Sequence, residues 1–464
     1  LQIPEISLDG NVKNNLLKAR GKASGNAAGQ WDIPGFNLVL GKNNVDVKGN
    51  LSDKWNLDAK INAPGLGGML PGLAGVIKGD IKLRGDLQSP QVLADINAHG
   101  VKWQDMLSVD SAVIKGNVTS GEQIKGDLSV VVRQLKQADL VIKNLTLEAK
   151  GNEKKHQLKL DVQGEPVSGH LALNGGFDRQ TEIWKGTLNN TAFETPVGEW
   201  HLNKAMALEY ANTLQEVTVG THCWINPNAR LCVPKPIKAG KSGTADIALE
   251  SFNLAMLKPF MTGDTQLQGI FSGNAKVSWK ADGGLPQAKV NLKGDGVKVT
   301  QMVEGISLPV EFQTLTLSAA LVNGKADISW LIKILNNGQF NGNVQIADLE
   351  KARRLSGSIT IDSISLALIQ PLLSKGEKAE GLLNANLRLG GNANKPLLNG
   401  NLTLSELLAS GSWIPFDITQ GRLGINFNGT SSTMDGQITT PEGYLNINGE
   451  ADWRNIDEIG RASC

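Results

Sequence analysis

The sequence predicts an all-β protein whose sheet must cover its own apolar face. Three observations carry this prediction. Apolar and polar side chains alternate with period two along most of the 464 residues, turn-forming residues punctuate the alternation, and helical patterns are scarce. The alternation is plain in Val45-Asp46-Val47-Lys48, Ile81-Lys82-Leu83-Arg84 and Leu158-Lys159-Leu160-Asp161-Val162. It returns in Val290-Asn291-Leu292-Lys293, Ile425-Asn426-Phe427-Asn428 and Leu445-Asn446-Ile447-Asn448. Successive side chains of a strand point to opposite faces, so these segments read as half-buried strands. At about 12 residues per strand and turn, the chain has room for roughly 35–40 of them.

The punctuation is chemical. Gly41-Lys42-Asn43-Asn44, Gly151-Asn152, Asn174-Gly175-Gly176 and Asn336-Asn337-Gly338 supply residues that take positive φ at little cost. Glycine numbers 53, above the usual share of about 7%, and it follows no collagen period. The helical candidates are Asn14–Arg20, Met256–Met261, Ile346–Arg354 and Ile364–Leu373, none long enough to cover a sheet. With no helices to do so, the sheet pairs with a second sheet or curls. Aromatics make up only 5%, so the interior is filled mainly by Val, Leu, Ile and Ala.

A cassette recurs three times, near residues 61–100, 247–300 and 359–410. Each copy has a short apolar segment around a proline (Met69–Leu73, Leu257–Met261, Ile369–Leu373), expected to cap or plug the sheet as a short helix. A glycine-flanked strand follows, then a proline turn at Pro90, Pro286 or Pro396, then another strand. The irregular spacing excludes a strict solenoid. Residues 1–453 are read as one continuous β-repeat architecture, and 454–464 as a tail that continues none of the pattern, its Ile459–Cys464 end resembling a cloning remnant.

Composition excludes some functions. Lys+Arg 46 against Asp+Glu 45 gives a net charge of +1, unlike the basic surface that nucleic-acid binding requires. The 40% hydrophobic content is too high for charge-driven disorder. The longest uncharged stretch, Ile61–Ile77, is broken by Pro64, Pro71 and five glycines, so it is no transmembrane helix. Cys223 and Cys232 flank an Asn226-Pro227-Asn228 turn and are expected to form a disulfide across an exposed loop, which implies an oxidising compartment; the alternative is two buried free thiols. Their spacing, with His201 and His222 nearby, does not complete a four-ligand metal set.

No catalytic constellation emerges. His99, His156, His170, His201 and His222 are scattered and read as surface or turn residues, and carboxylates such as Asp95 and Asp161 alternate onto the solvated face. The chain is therefore expected to be no enzyme and to need no cofactor. Its functional feature is the apolar strand face. Val45, Val47, Ile81, Leu83, Val92, Ile96, Leu158, Leu160, Val290, Leu292, Leu402, Leu404, Ile425, Phe427, Leu445 and Ile447 are expected to line one interior. That interior is either a packed core, as in a structural or adhesive β-helix passenger or a β-helix enzyme, or an open groove for acyl chains.

The cassettes, with Leu366–Gly381, Leu383–Gly391, Phe416-Asp417-Ile418 and Gly449-Glu450-Ala451-Asp452-Trp453, resemble the AsmA-like bridge-protein family of Gram-negative bacteria. The likeness is close over 360–453 and rests on the cassettes alone before that. It implies a long curled sheet (a β-taco) with an apolar inner groove crossing the periplasm, in a protein anchored in the inner membrane. The expected function is carriage of phospholipid between the two membranes, with a part in outer-membrane protein translocation and assembly. The expected partners are phospholipid acyl chains and an outer-membrane barrel, the latter contacted by a segment outside this sequence.

Overall fold

The structure is a computed structural model that describes residues 2–454 apart from 28, 29, 68, 87, 262, 304, 375 and 413. The terminal tail, from residue 455 onward, lies outside the described residues. The fold is all-β: 31 strands and two short 3₁₀ helices among the described residues, with the strands in a curled antiparallel sheet. Strands reach 17 residues, longer than the sequence estimate allowed, which is why there are fewer of them. The chain divides into two compact units, Leu1–Trp224 and Ile225–Cys464.

In the first unit, strands from Gln2–Val12 to Ile183–Thr195 each pair with the next as a meander. The turns set the register. Lys13 and Asn14 both take left-handed φ (48° and 64°) and join Val12 to Asn15 in the two-residue turn that matches strand twist. The helix expected over Asn14–Arg20 is therefore replaced by that turn and the strand Asn15–Gly25, whose exposure alternates residue by residue. Ile346–Arg354 is not helical either: Ile346 and Ala347 end the strand Gln339–Ala347, and a turn with Asp348 and Arg353 at positive φ leads into Arg354–Ser365.

The second unit holds the two helices, Leu254–Phe260 and Leu366–Leu372. Asn253 and Ser365 cap them, each side-chain oxygen accepting a hydrogen bond from the amide two residues on. The corresponding Met69–Leu73 segment of the first cassette, set among Gly65, Gly67 and Gly72, forms turns instead, as glycine's low helix propensity favours. All three cassettes carry a register shift just beyond this segment, at Ala74/Val76, Gln268/Ile270 and Glu380/Leu382. Such bulges bend a strand and increase its twist. Glycine is required at the first two: a Cβ on Gly75 or Gly269 would lie 2.7 Å or 2.6 Å from the Cα of Val101 or Val297.

Little of the apolar face is sealed. Among the described residues no large side chain is fully buried, and many of the buried hydrophobic residues are alanines. The accessible surface is 28100 Å², against about 20,000 Å² for two compact bodies each of half this mass. The strands pair antiparallel, and most of their apolar side chains are only half-buried.

Candidate functional site: an uncovered apolar face

Residues opposite one another in a ladder share a face, so the register can be followed from strand to strand. In the first unit one row runs Leu8, Ala19, Leu38, Val45, Ile61, Gly79, Ile96, Ile114, Val130, Leu147, Leu160, Leu171. A second runs beside it through Phe36, Val47, Ala59, Ile81, Ala94, Gly116, Leu128, Ala149, Leu158, Leu173, Leu188 and Met206. Leu83 and Val92 belong to a third. The opposite face carries rows such as Asp46, Lys60, Asp80, Asp95, Lys115, with Lys115 Nζ 3.7 Å from Asp95.

The second unit repeats the arrangement. One row is Ile247, Ala275, Val290, Ala319, Ile328, Val344, Gly357, Leu389, Leu398. Its neighbour contains Leu292, Leu317, Trp330, Gly342, Ile359, Leu387, Gly400 and Phe427. Leu402 and Ile425 share a third row, and Leu404 leads through Leu423 and Gly436 to Ile447. Each unit thus places its own share of the sixteen sequence-predicted residues on a single face. Fourteen are half-buried; Val92 and Leu445 are exposed, at 40% and 45%. Val92 sits near a hairpin, and Leu445 lies in the last described strand, which pairs with Ser431–Thr440.

The sequence reading missed a hollow on this face. A cavity of about 640 Å³ is lined by Val118, Leu128, Ala149, Leu158, Leu173, Phe177 and Trp184 among others. Beneath it a row of glycines, Gly126, Gly151, Gly175 and Gly186, is interrupted by His156. The Trp184 indole lies along this row, so close that a Cβ on Gly175 or Gly186 would be 2.4 Å from its ring. Trp184 Nε1 donates to His156 Nε2 at 2.8 Å, and His156 Nδ1 lies 3.1 Å from the Asn152 carbonyl. His156 is therefore no surface histidine, and its apolar-face parity with Leu158 and Leu160 was the available signal. His156 is half-buried and His222 buried, whereas His99, His170 and His201 are exposed.

At the cavity rim Arg179 Nε donates to Glu153 at 2.5 Å. That hydrogen bond chiefly holds the Glu153 carboxyl below its ordinary pKa and raises that of Arg179. A larger cavity of about 850 Å³ is lined by Arg20, Lys22, Lys48, Lys60 and Lys82 together with Asp46, Asp58 and Asp80. Its charges of both signs belong to the opposite face by register, so size does not make it the apolar site. Cys223 and Cys232 are disulfide-bonded, and they lie in the strands His222–Asn226 and Ala229–Val233 on either side of the Pro227-Asn228 turn, rather than in an exposed loop. No helix among the described residues is long and apolar enough to cross a membrane.

Residues 1–404 match the family described as "TamB, N-terminal domain". The translocation and assembly module subunit TamB of Haemophilus influenzae is 30% identical over 458 residues, covering 98% of this chain and 35% of that protein. Two uncharacterized proteins of Buchnera aphidicola are each 20% identical, over 81% and 85% of this chain and 38% and 40% of theirs. The chain spans little more than a third of the length of these curated relatives. With a matching domain over most of its residues and a relative 30% identical along nearly its whole length, the chain belongs to the TamB family.

Proposed function

We propose that the apolar face carries phospholipid acyl chains across the periplasm, as part of a translocation and assembly module whose outer-membrane barrel is TamA. The observation that supports this reading is the continuity of the apolar rows within each unit, combined with their incomplete burial. Exposed apolar surface of this extent marks an interaction site. Each methylene moved from water onto it gains about 0.8 kcal/mol, so an acyl chain can travel along such a face without meeting the cost of open water. The mechanism calls on no nucleophile and no cofactor. The full-length protein would be anchored in the inner membrane and reach its barrel through a segment outside this chain.

The test uses adjacent residues on opposite faces. A photoreactive amino acid at Leu402 should yield a phospholipid adduct in living cells, whereas the same group at Asn401 should yield almost none. Equal yields, or no lipid at Leu402, would refute the reading.

A further inference from the structure

Resting on the proposal that the apolar face carries lipid, we infer that the glycine-floored hollow beside Trp184 is a discrete binding site for one hydrocarbon chain, and that the Trp184 indole is its wall. The volume, about 640 Å³, lies within the range of roughly 300–1,000 Å³ typical of ligand sites. The hollow is built rather than incidental. Four glycines at one register level remove side chains beneath it, and the indole occupies the space they leave. The wall is Leu128, Ala149, Leu158, Leu173, Phe177 and the ring of Trp184.

The chemistry of the rim selects the occupant. Trp184 Nε1, the two His156 nitrogens, Arg179 Nε and Glu153 are engaged with one another or with the Asn152 carbonyl. Lys125, Asp127, Lys150 and Gln157 alternate onto the other face. An occupant of the hollow thus meets carbon atoms and few hydrogen-bonding partners. An extended peptide would need backbone partners, but the strands beneath are each paired on both sides. A hydrocarbon chain needs none. The two bonds of His156 also fit one form of the ring, neutral with its proton on Nδ1 and Nε2 accepting from the indole. His156 in that form latches Trp184 against the glycine floor.

The experiment places a photoreactive amino acid at Leu173, inside the hollow, or at Val47, on the same face of the same unit but away from it. The full chain is mixed with phosphatidylethanolamine vesicles and irradiated. Lipid adducts are expected at both positions. Ala149→Trp, which fills the hollow, should cut the Leu173 adduct at least ten-fold and leave the Val47 adduct unchanged; Trp184→Ala should cut it about five-fold. Should Ala149→Trp not fold, Ala149→Met fills part of the space and should cut it about three-fold. Lipid at Val47 with none at Leu173, a Leu173 adduct insensitive to these changes, or a peptide adduct there would overturn the site while sparing the general reading. Lipid at neither position would overturn both.

Discussion

Two stretches of the first unit are built from the same kind of strand pairing and end in opposite states. From residue 80 to residue 190 no described residue is buried, although nearly every one belongs to a long strand. From 191 to 222, Thr191 and Ala192 near the end of the strand Ile183–Thr195, and Trp200, Met206 and His222 in short strands, are buried. The difference lies in side-chain bulk. Residues 104–176 contain no Phe, Trp or Tyr and 80–190 holds only Trp103, Phe177 and Trp184, whereas the shorter stretch 191–224 contains Phe193, Trp200, Tyr210 and Trp224. Phe193 and Trp224 pack at 4.8 Å, and aromatics of that size close a space that valine and leucine leave open. Alternation makes a sheet; large side chains decide whether its face is sealed.

The comparison can be broken by exchanging the two states. Trp200 is 9% exposed, and Trp200→Ala should destabilise the first unit by about 3–5 kcal/mol, read by urea denaturation. Leu160→Ala, on the uncovered face, should cost less, about 2 kcal/mol, since part of the side chain is already in water. Equal costs would show that both stretches are packed alike. Removing the disulfide comes next in size: Cys232→Ala should lower stability by about 2–3 kcal/mol for so short a closed loop, and a reducing agent should lower the parent to match.

A smaller effect sharpens the picture at a loop of the second unit. Glu377 accepts hydrogen bonds from Ser412 Oγ at 2.6 Å and from the amides of Ser412 and Ser374 at 2.9 Å and 2.8 Å. These bonds, the Ser412 hydroxyl first, hold its carboxyl below the ordinary 4.5. A carboxyl whose folded pKa is depressed contributes stability above its unfolded pKa and loses it as pH falls through the folded value. Amide exchange at Ser374 and Ser412 should therefore quicken in acid below the usual carboxylate range. Glu377→Gln should show fast exchange at neutral pH and little further change on acidification.

Much of this was legible in the sequence, for a physical reason. Strands such as Leu158–Val162 and Val290–Lys293 show their two faces locally, so the all-β fold and the face of each predicted residue could be read from parity alone. What could not be read depends on partners distant in the chain. The local pattern places Asn14 in a helix because the turn it makes with Lys13 is visible only through the pairing of Val12 with Asn15. The role of His156 depends on Trp184, 28 residues on. The glycine floor exists only because four separate strands align their glycines at one level.

The central claim is that the apolar face is open to water, and the most direct test is to place a charge on it. Leu292→Asp and Ile425→Asp each put a carboxylate mid-strand on that face, at half-buried positions. Thermal and urea unfolding should give folded variants that lose about 1 kcal/mol or slightly more, because the charge stays hydrated. A loss of several kcal/mol, or failure to fold at both positions, is what an unpaired charge in a sealed core produces, and would contradict an open face.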